Sequence, residues 1–461
     1  MFNWFKGKSG DPKPLDPERP IICRKAQGVF FGQDSNGYYI CKPEKEDGHI
    51  LVIGGVGSGK SSCVAIPSLL TWSNPIFAID IKGELHTKTK DKRLNAKVFN
   101  PCDKQKSYGY DPFFSLRTSE NLAQDAMAIA LAIIPLPPDT REPFWIESSQ
   151  NILTASILHC YSRGETFLDT IEMIQSTEPS ILIKELLTNT ASQASFFVNS
   201  MMGMEDKTLA SIMTTLSKNI IHFITDKDLK FALSQPTRNI SPLDLERGQD
   251  VYIHIPEHLL RQWKNLLSLI VSQFLNHFEQ RPEEQIHPIL FLLDEFPRLG
   301  KINPVLDGLA TLRSKKITIC LIIQNLAQLD VIYGENERKL IVGMCAYKAI
   351  LSADDPDTQE YFSKLAGTYD RVVTTNSENK AWWGAKSGTS ESKHIQETRL
   401  IKNEEFGFGI MRGRKNLVLF APFPLYSEKQ SSNKDQSLEI VTFMHVDKMY
   451  YEHVEKVLYG S

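Results

Sequence analysis

Nothing in this chain approaches a run of 18 apolar residues, so no segment reads as a membrane-spanning helix. The opening MFNWFKGKSGDPKP has no apolar stretch of the kind a secretory signal needs. Cysteine is scarce and unpatterned: there are seven, with no CxxC pair and no Cys/His cluster. That excludes a disulfide-stapled scaffold and a zinc module, and it fits reduced, mostly buried thiols in a cytoplasmic protein. An excess of basic charge is missing too. Lys and Arg number 52 against 55 Asp and Glu, for a net charge of -3. Any contact with DNA must then come from a local patch or from a ring of subunits. No internal repeat is present.

What is there is ordinary in bulk and specific in detail. The 461 residues, 41% hydrophobic and 23% charged, suffice for two or three domains. The specific stretch is HILVIGGVGSGKS, residues 49–61. Ile50 to Ile53 reads as a buried parallel strand that runs into Gly54-x4-Gly59-Lys60-Ser61, the P-loop pattern. Gly54, Gly55, Gly57 and Gly59, with Val56 and Ser58 between them, let the backbone curl its N–H groups toward phosphate oxygens. Lys60 reaches the β- and γ-phosphates, the Ser61 hydroxyl ligates Mg²⁺, and Ser62 opens a helix whose N-terminus faces the anion.

Around this stretch the chain reads in blocks. Residues 11–21 are Pro-rich and charged, a leader; the aromatics Phe2, Trp4 and Phe5 before them fit a frayed tail better than a membrane or partner contact. Residues 28–42 read as a hairpin around Asp34-Ser35-Asn36-Gly37. Residues 75–79 form a strand that ends in Asp80-Ile81-Lys82-Gly83-Glu84, either the ligand edge of an α/β sheet or a solvated turn. A strand at 97–101 and a turn at 108–113 follow, so the sheet is parallel. The cluster Lys88, Lys90, Lys92 and Arg93 fits a solvated helix face better than a phosphate contact. From about 114 to 235 strand signals give way to helical periodicity, as in Leu209, Ile212, Leu216 and Ile220. The Met201, Met202 and Met204 cluster there reads as core or interface.

The α/β pattern returns with a strand at 251–256 and an amphipathic helix carrying Trp263, Leu266, Leu267, Ile270, Phe274, Leu275 and Phe278. PILFLLDE, residues 288–295, is an apolar strand ending in two carboxylates, the Walker B pattern. Asp294 holds Mg²⁺ and Glu295 activates the attacking water. A helix over 303–316 ends in Arg313, which is either an arginine finger for a neighbouring subunit or a surface residue. The strand 317–323 carries Gln324 at its tip, a γ-phosphate sensor or a turn cap. Residues 340–351 continue the sheet, and 417–421 form a last strand. Residues 371–398, with Trp382-Trp383-Gly384, are too polar to order themselves and read as a mobile loop or unpaired ribbon. Residues 427–437 read as a polar loop and 438–461 as a strand or helix. The fold class is α/β. Four segments result: leader 1–21, first nucleotide-binding part 22–113, all-α insertion 114–235, second nucleotide-binding part 236–461.

The order of these pieces carries a resemblance. IPSLLTW after the P-loop, DIKGEL at 80–85, FNP and YGYDPF, PFW at 143–145, LLDEFPRLGKI at 292–302, LRSKKI at 312–317 and IIQNLAQL at 322–329 together resemble the type IV secretion coupling proteins, the TraG/TraD-like conjugation ATPases. The likeness runs from about residue 28 to 426. It implies a RecA-like P-loop NTPase with a mostly parallel central sheet and an inserted all-α domain, using ATP and Mg²⁺. It also implies a homo-hexameric ring that recruits a relaxase–DNA complex or a protein substrate to the secretion channel. By position Lys60 and Ser61 match the family's Walker A residues, Asp294 and Glu295 its Walker B, Arg313 its trans-acting arginine, and Gln324 its motif after Walker B. Family members usually carry N-terminal transmembrane helices. Their absence here implies a partner or a missing segment at the cytoplasmic face of the inner membrane. Two other readings remain: a FtsK/HerA-like translocase without a secretion partner, and an adaptor whose nucleotide site serves assembly.

Overall fold

A computed structural model of the chain describes residues 21–33, 38–137, 140–188, 193–283, 287–380, 386–399, 401–407, 414–415, 417–422, 439–442 and 446–447. The leader up to residue 20, the turn Asp34–Gly37, Trp382-Trp383-Gly384 and the loop 427–437 lie outside them.

The described chain opens with three short antiparallel strands, β1 (Ile22–Cys23), β2 (Val29–Gln33) and β3 (Tyr39–Lys42). β4 (Ile50–Ile53) leads through the glycine-rich loop into α1 (Ile66–Thr71). β5 (Ile76–Asp80), α2 (Glu84–Thr89), β6 (Ala96–Phe99) and β7 (Gly109–Tyr110) follow. A run of helices comes next: α3 (Phe114–Arg117), α4 (Leu122–Ile133), α5 (Phe144–Ser162), α6 (Phe167–Ser176), α7 (Pro179–Thr188), α8 (Ala194–Val198), α9 (Asp206–Ile220), α10 (His222–Thr225) and α11 (Lys227–Leu233). β8 (Asn239–Ile240) then returns beside β7 and pairs with it in parallel. α12 (Pro242–Glu246), β9 (Asp250–His254), α13 (Leu260–Glu279), β10 (Ile289–Leu293), α14 (Asn303–Thr311), β11 (Ile317–Ile323), α15 (Leu326–Met344), β12 (Tyr347–Ile350) and α16 (Pro356–Ala366) rebuild the α/β pattern. The ribbon strands β13 (Thr368–Lys380) and β14 (Lys386–Arg399), α17 (Asn403–Gly407), β15 (Arg414–Lys415), β16 (Val418–Ala421), β17 (Glu439–Thr442) and β18 (Val446–Asp447) complete the described chain.

The central sheet has the strand order β17-β16-β12-β4-β11-β10-β5-β9-β6. From β12 to β6 every pairing is parallel; β16 runs antiparallel to both of its neighbours. The central strands are apolar without alternation because both faces are covered. The period-two geometry of a strand divides them between two cores. Leu51, Ile53, Phe77, Phe291, Leu321 and Ile323 face the long helices, α13 among them. Ile50, Val52, Ala78, Leu292, Cys320 and Ile322 face α1 and the three-stranded sheet. The anticipated apolar faces of α9 and α13 are buried throughout.

Three expectations need correction. Residues 340–344 belong to α15, not to the sheet: the helix re-forms after its break at Gly334, φ 78°, and buries Ile341 and Val342. The helix expected over 303–316 stops at Thr311, and Lys316 sits in a left-handed turn (φ 59°) that starts β11. The described residues of 371–398 are no loose loop. Thr368 to Lys380 pairs with Lys386 to Arg399 as an antiparallel ribbon. Main-chain hydrogen bonds supply the order that its few apolar side chains do not.

Candidate active site

Seven parallel strands reach the same edge of the sheet in the order β12, β4, β11, β10, β5, β9, β6. This edge gathers residues from loops that lie hundreds of positions apart in the chain.

The P-loop leaves β4. Gly57 and Gly59 have φ of 73° and 95°, a left-handed backbone that side-chain-bearing residues avoid. At Gly54 the constraint is space: a Cβ there would stand 2.3 Å from Ser58 Oγ. Past Gly59 the backbone makes a wide turn in which the Ile66 N–H reaches back five residues to Ser61 O. Pro67 has no N–H to continue the tighter ladder, so the regular helix starts only at Ile66. Lys60 is buried, and its ammonium donates to the carbonyls of Gly54 at 2.7 Å and Gly55 at 3.1 Å. Burial lowers its pKa, while the Glu295 and Asp294 carboxylates oppose that shift. Ser61 is half-buried; Ser62 and Val56 are exposed.

Asp294 and Glu295 leave β10. Asp294 is 2% exposed, and its Oδ1 accepts the Glu295 N–H at 3.0 Å. Burial, and next the Glu295 charge, push its carboxyl up to about 7. Glu295 sits at φ 50°, ψ 40°, a left-handed conformation that costs a non-glycine residue on the order of 1 kcal/mol. β11 lies between β4 and β10, so Gln324 at its tip stands between the P-loop and the two carboxylates. Gln324 Nε2 donates to Glu295 Oε2 at 2.9 Å.

Lys60, Ser61, Asp294, Glu295 and Gln324 are therefore brought together. Arg313 is not. It is exposed on the turn before β11, at the opposite edge of the sheet, where its charge bears on His49 just before β4. The basic cluster also divides. Arg93 is a structural tie, donating to Leu69 O at 2.7 Å and pairing with Asp250 at 2.9 Å, whereas Lys88, Lys90 and Lys92 are exposed.

Sequence reasoning missed Ser352 and Asp354, which leave β12. Ser352 Oγ accepts the Gly55 N–H at 3.0 Å. Asp354 lies so close that a Cβ on Gly55 would meet its Oδ2 at 1.9 Å. No local signal announces them; they matter only because β12 is the neighbour of β4.

The residues fit a Mg²⁺–nucleotide. The loop is left-handed where it must cradle an anion, and the buried Ser58 Oγ lacks a hydrogen-bond partner among the described residues. Asp294 is a buried carboxylate that burial and the Glu295 charge push up, and its oxygens are of the kind that Mg²⁺ takes as ligands. Among the described residues no cluster of His, Cys, Asp and Glu forms a separate metal site.

The family model described as "Type IV secretory system Conjugative DNA transfer" matches residues 15–450. The chain is 25% identical over 374 residues to protein VirD4 of Rhizobium radiobacter, covering 77% of this chain and 54% of the relative. It is 25% identical over 423 residues to conjugal transfer protein TraG of Escherichia coli, covering 82% and 65%. It thus spans about half the length of the VirD4 relatives it matches. Among solved structures, the unbound bacterial conjugative coupling protein TrwBdeltaN70 superposes with a TM-score of 0.70 at 18% identity, over 93% of this chain and 89% of that one. TrwB in complex with the ATP analogue ADPNP gives 0.67 at 17%, over 95% and 96%. TrwB with ADP and Mg²⁺ gives 0.66 at 17%, over 96% and 98%. At these identities the likeness establishes the fold alone, an α/β architecture on a mostly parallel central sheet.

Proposed function

Since this chain belongs to the type IV secretory system conjugative DNA transfer family, we propose that it is an ATP-hydrolysing coupling protein of a conjugation or type IV secretion system. Its work is to bring a relaxase–DNA complex or a protein substrate to the channel and drive transfer. The observation that carries this reading is the convergence of Lys60, Gln324, Asp294 and Glu295 on one edge of the sheet.

The geometry supports the following assignment of roles. Lys60 leaves the Gly54 and Gly55 carbonyls for the β- and γ-phosphates, while loop N–H groups and the Ser58 hydroxyl orient the phosphate chain. Ser61 and Asp294 would hold Mg²⁺, which would supply positive charge to the phosphate oxygens. Glu295 takes a proton from the attacking water at Oε1, because Gln324 occupies Oε2. Gln324 holds that carboxylate in position beside the terminal phosphate. Arg313 lies far from its own P-loop, so it acts on the nucleotide of a neighbouring subunit in a ring, a homo-hexamer by resemblance. The helices of 114–235 form the insertion that meets cargo, set between nucleotide-binding parts at 22–113 and 236–461. The site of action is the cytoplasmic face of the inner membrane. No helix of the described residues is long and apolar enough to cross a bilayer.

The test is ATP hydrolysis against protein concentration, with and without single- and double-stranded DNA. The expected result is a rate that climbs steeply with concentration, is raised by DNA, and is lost in Lys60→Ala. Arg313→Ala is expected to cut turnover while sparing nucleotide binding. A flat rate, blind to DNA and to Arg313→Ala, would overturn the ring motor in favour of a nucleotide-regulated adaptor.

A further inference from the structure

The edge of the sheet holds one more cation. Lys82 lies two residues beyond the end of β5, the neighbour of β10. The parallel register pairs Ile79 with Leu293, which sets Asp80 level with Asp294 and places Lys82 in the bend past the strand ends. The loop that bears it is held firmly. Asp80 is buried, and its Oδ2 accepts the His86 N–H at 2.9 Å. Asp80 O accepts from His254 Nδ1 at 2.8 Å, and Ile81 is buried in the core. Gly83 turns the chain at φ 71°, where a Cβ would stand 2.8 Å from His254 Cε1.

Lys82 itself is exposed and has no hydrogen-bond or ion-pair partner among the described residues. Its charge nonetheless bears on two buried groups at once, favouring the neutral form of Lys60 and the ionised form of Asp294. Lys60 comes from β4 and Asp294 from β10, with β11 between them. A cation past the tip of β5, the strand beside β10, overlooks the space where the far end of a triphosphate lies, on the side away from the P-loop.

We propose that Lys82 is a second phosphate-binding cation of this site, acting within the same subunit on the terminal phosphate of ATP. It contacts the γ-phosphate from the β5 side while Lys60 contacts it from the P-loop side. A pinned backbone with a free ammonium suits such a contact, since the loop fixes where the charge is and the long side chain follows the phosphate as charge shifts onto its oxygens. ADP lacks that phosphate and does not engage Lys82. The inference rests on the nucleotide-binding reading above.

The test compares wild type with Lys82→Ala, Lys82→Arg and the control Lys60→Ala. Binding of ADPNP and of ADP, each with Mg²⁺, is titrated, and steady-state hydrolysis of ATP is measured. Lys82 is exposed, so its variants keep the fold, which circular dichroism verifies. Lys82→Ala is expected to weaken ADPNP about five- to fiftyfold with ADP affinity unchanged and to lower kcat by a similar factor, the loss of one charge-assisted contact. Lys82→Arg should recover most of both. Equal weakening of ADPNP and ADP, or no change in either, overturns the proposal. If wild type binds both nucleotides but hydrolyses nothing, the ATPase reading fails, and the ADPNP-to-ADP ratio still decides Lys82. If wild type binds neither nucleotide, both fall.

Discussion

His49 offers a quantitative check on the sheet edge opposite the nucleotide. It immediately precedes β4, is 1% exposed, and its Nδ1 accepts the Ile319 N–H of β11 at 3.0 Å. Burial, and then the charges of Lys42 and Arg313, push its pKa down to about 3. In the unfolded chain the same imidazole titrates near 6.5. The folded value is the lower one, so the unfolded state binds the proton more tightly. The neutral ring's contribution to stability is whole above pH 6.5 and is lost as the pH falls toward 3. Between pH 8 and pH 5 the linkage relation gives a loss of roughly 2 kcal/mol from this one residue. The perturbation is His49→Asn, whose side-chain oxygen also accepts from Ile319 N–H but does not titrate. Urea unfolding of both proteins at pH 8 and pH 5 provides a double difference in which other titrations cancel. Wild type should lose about 2 kcal/mol more than the variant. Equal losses, or an imidazole that titrates by NMR above about pH 5, would refute the reasoning.

Three further outcomes are expected. Glu295→Gly should be more stable to urea than Glu295→Ala by about 1 kcal/mol, because the φ of 50° suits glycine; a more stable Ala variant would contradict the strained backbone. Arg93→Ala should cost on the order of 3 kcal/mol of unfolding free energy by stranding the buried Asp250 and the carbonyls it caps, whereas Lys90→Ala stays within about 0.5 kcal/mol. Gln324→Ala should lower kcat with little change in ADP affinity, since its contact is with Glu295 rather than with the loop that holds the phosphates; a matching loss of ADP affinity would show that it also shapes the P-loop.

Much of the site was legible because its motifs are contiguous. Gly54 to Ser61 is one loop, and Asp294-Glu295 is one strand end. Gln324 was legible as a strand tip but not as the group that touches Glu295, because that contact depends on β11 lying between β4 and β10. Ser352 and Asp354 could not be read: their relevance is set by strand order, which no local pattern encodes. The long helices were legible where one face is strictly apolar, as in α13 and α9. Residues 340–344 misled because Ile341 and Val342 are β-branched and precede a true strand, and tertiary burial outweighed that propensity. The ribbon misled for the opposite reason. Its order comes from main-chain pairing between segments that carry little apolar signal.

The pairing of β7 with β8 has a consequence for how this chain tolerates change. Gly109 donates to Arg238 O at 2.7 Å, and the two strands fasten the exit and return of about 130 intervening residues at a single point. To β6 and β9, that excursion is a closed loop whatever its contour length. Each doubling of a free loop adds only about 0.6 kcal/mol of closure entropy, and a loop fastened at its neck passes still less of that cost to its anchors. Past the clasp the helices also dock on α13, where Trp263 Nε1 donates to Asp226 at 2.9 Å and Asn265 to Asn219 O at 3.0 Å. Changes of length that keep these contacts leave unaltered the register that sets Asp80 beside Asp294.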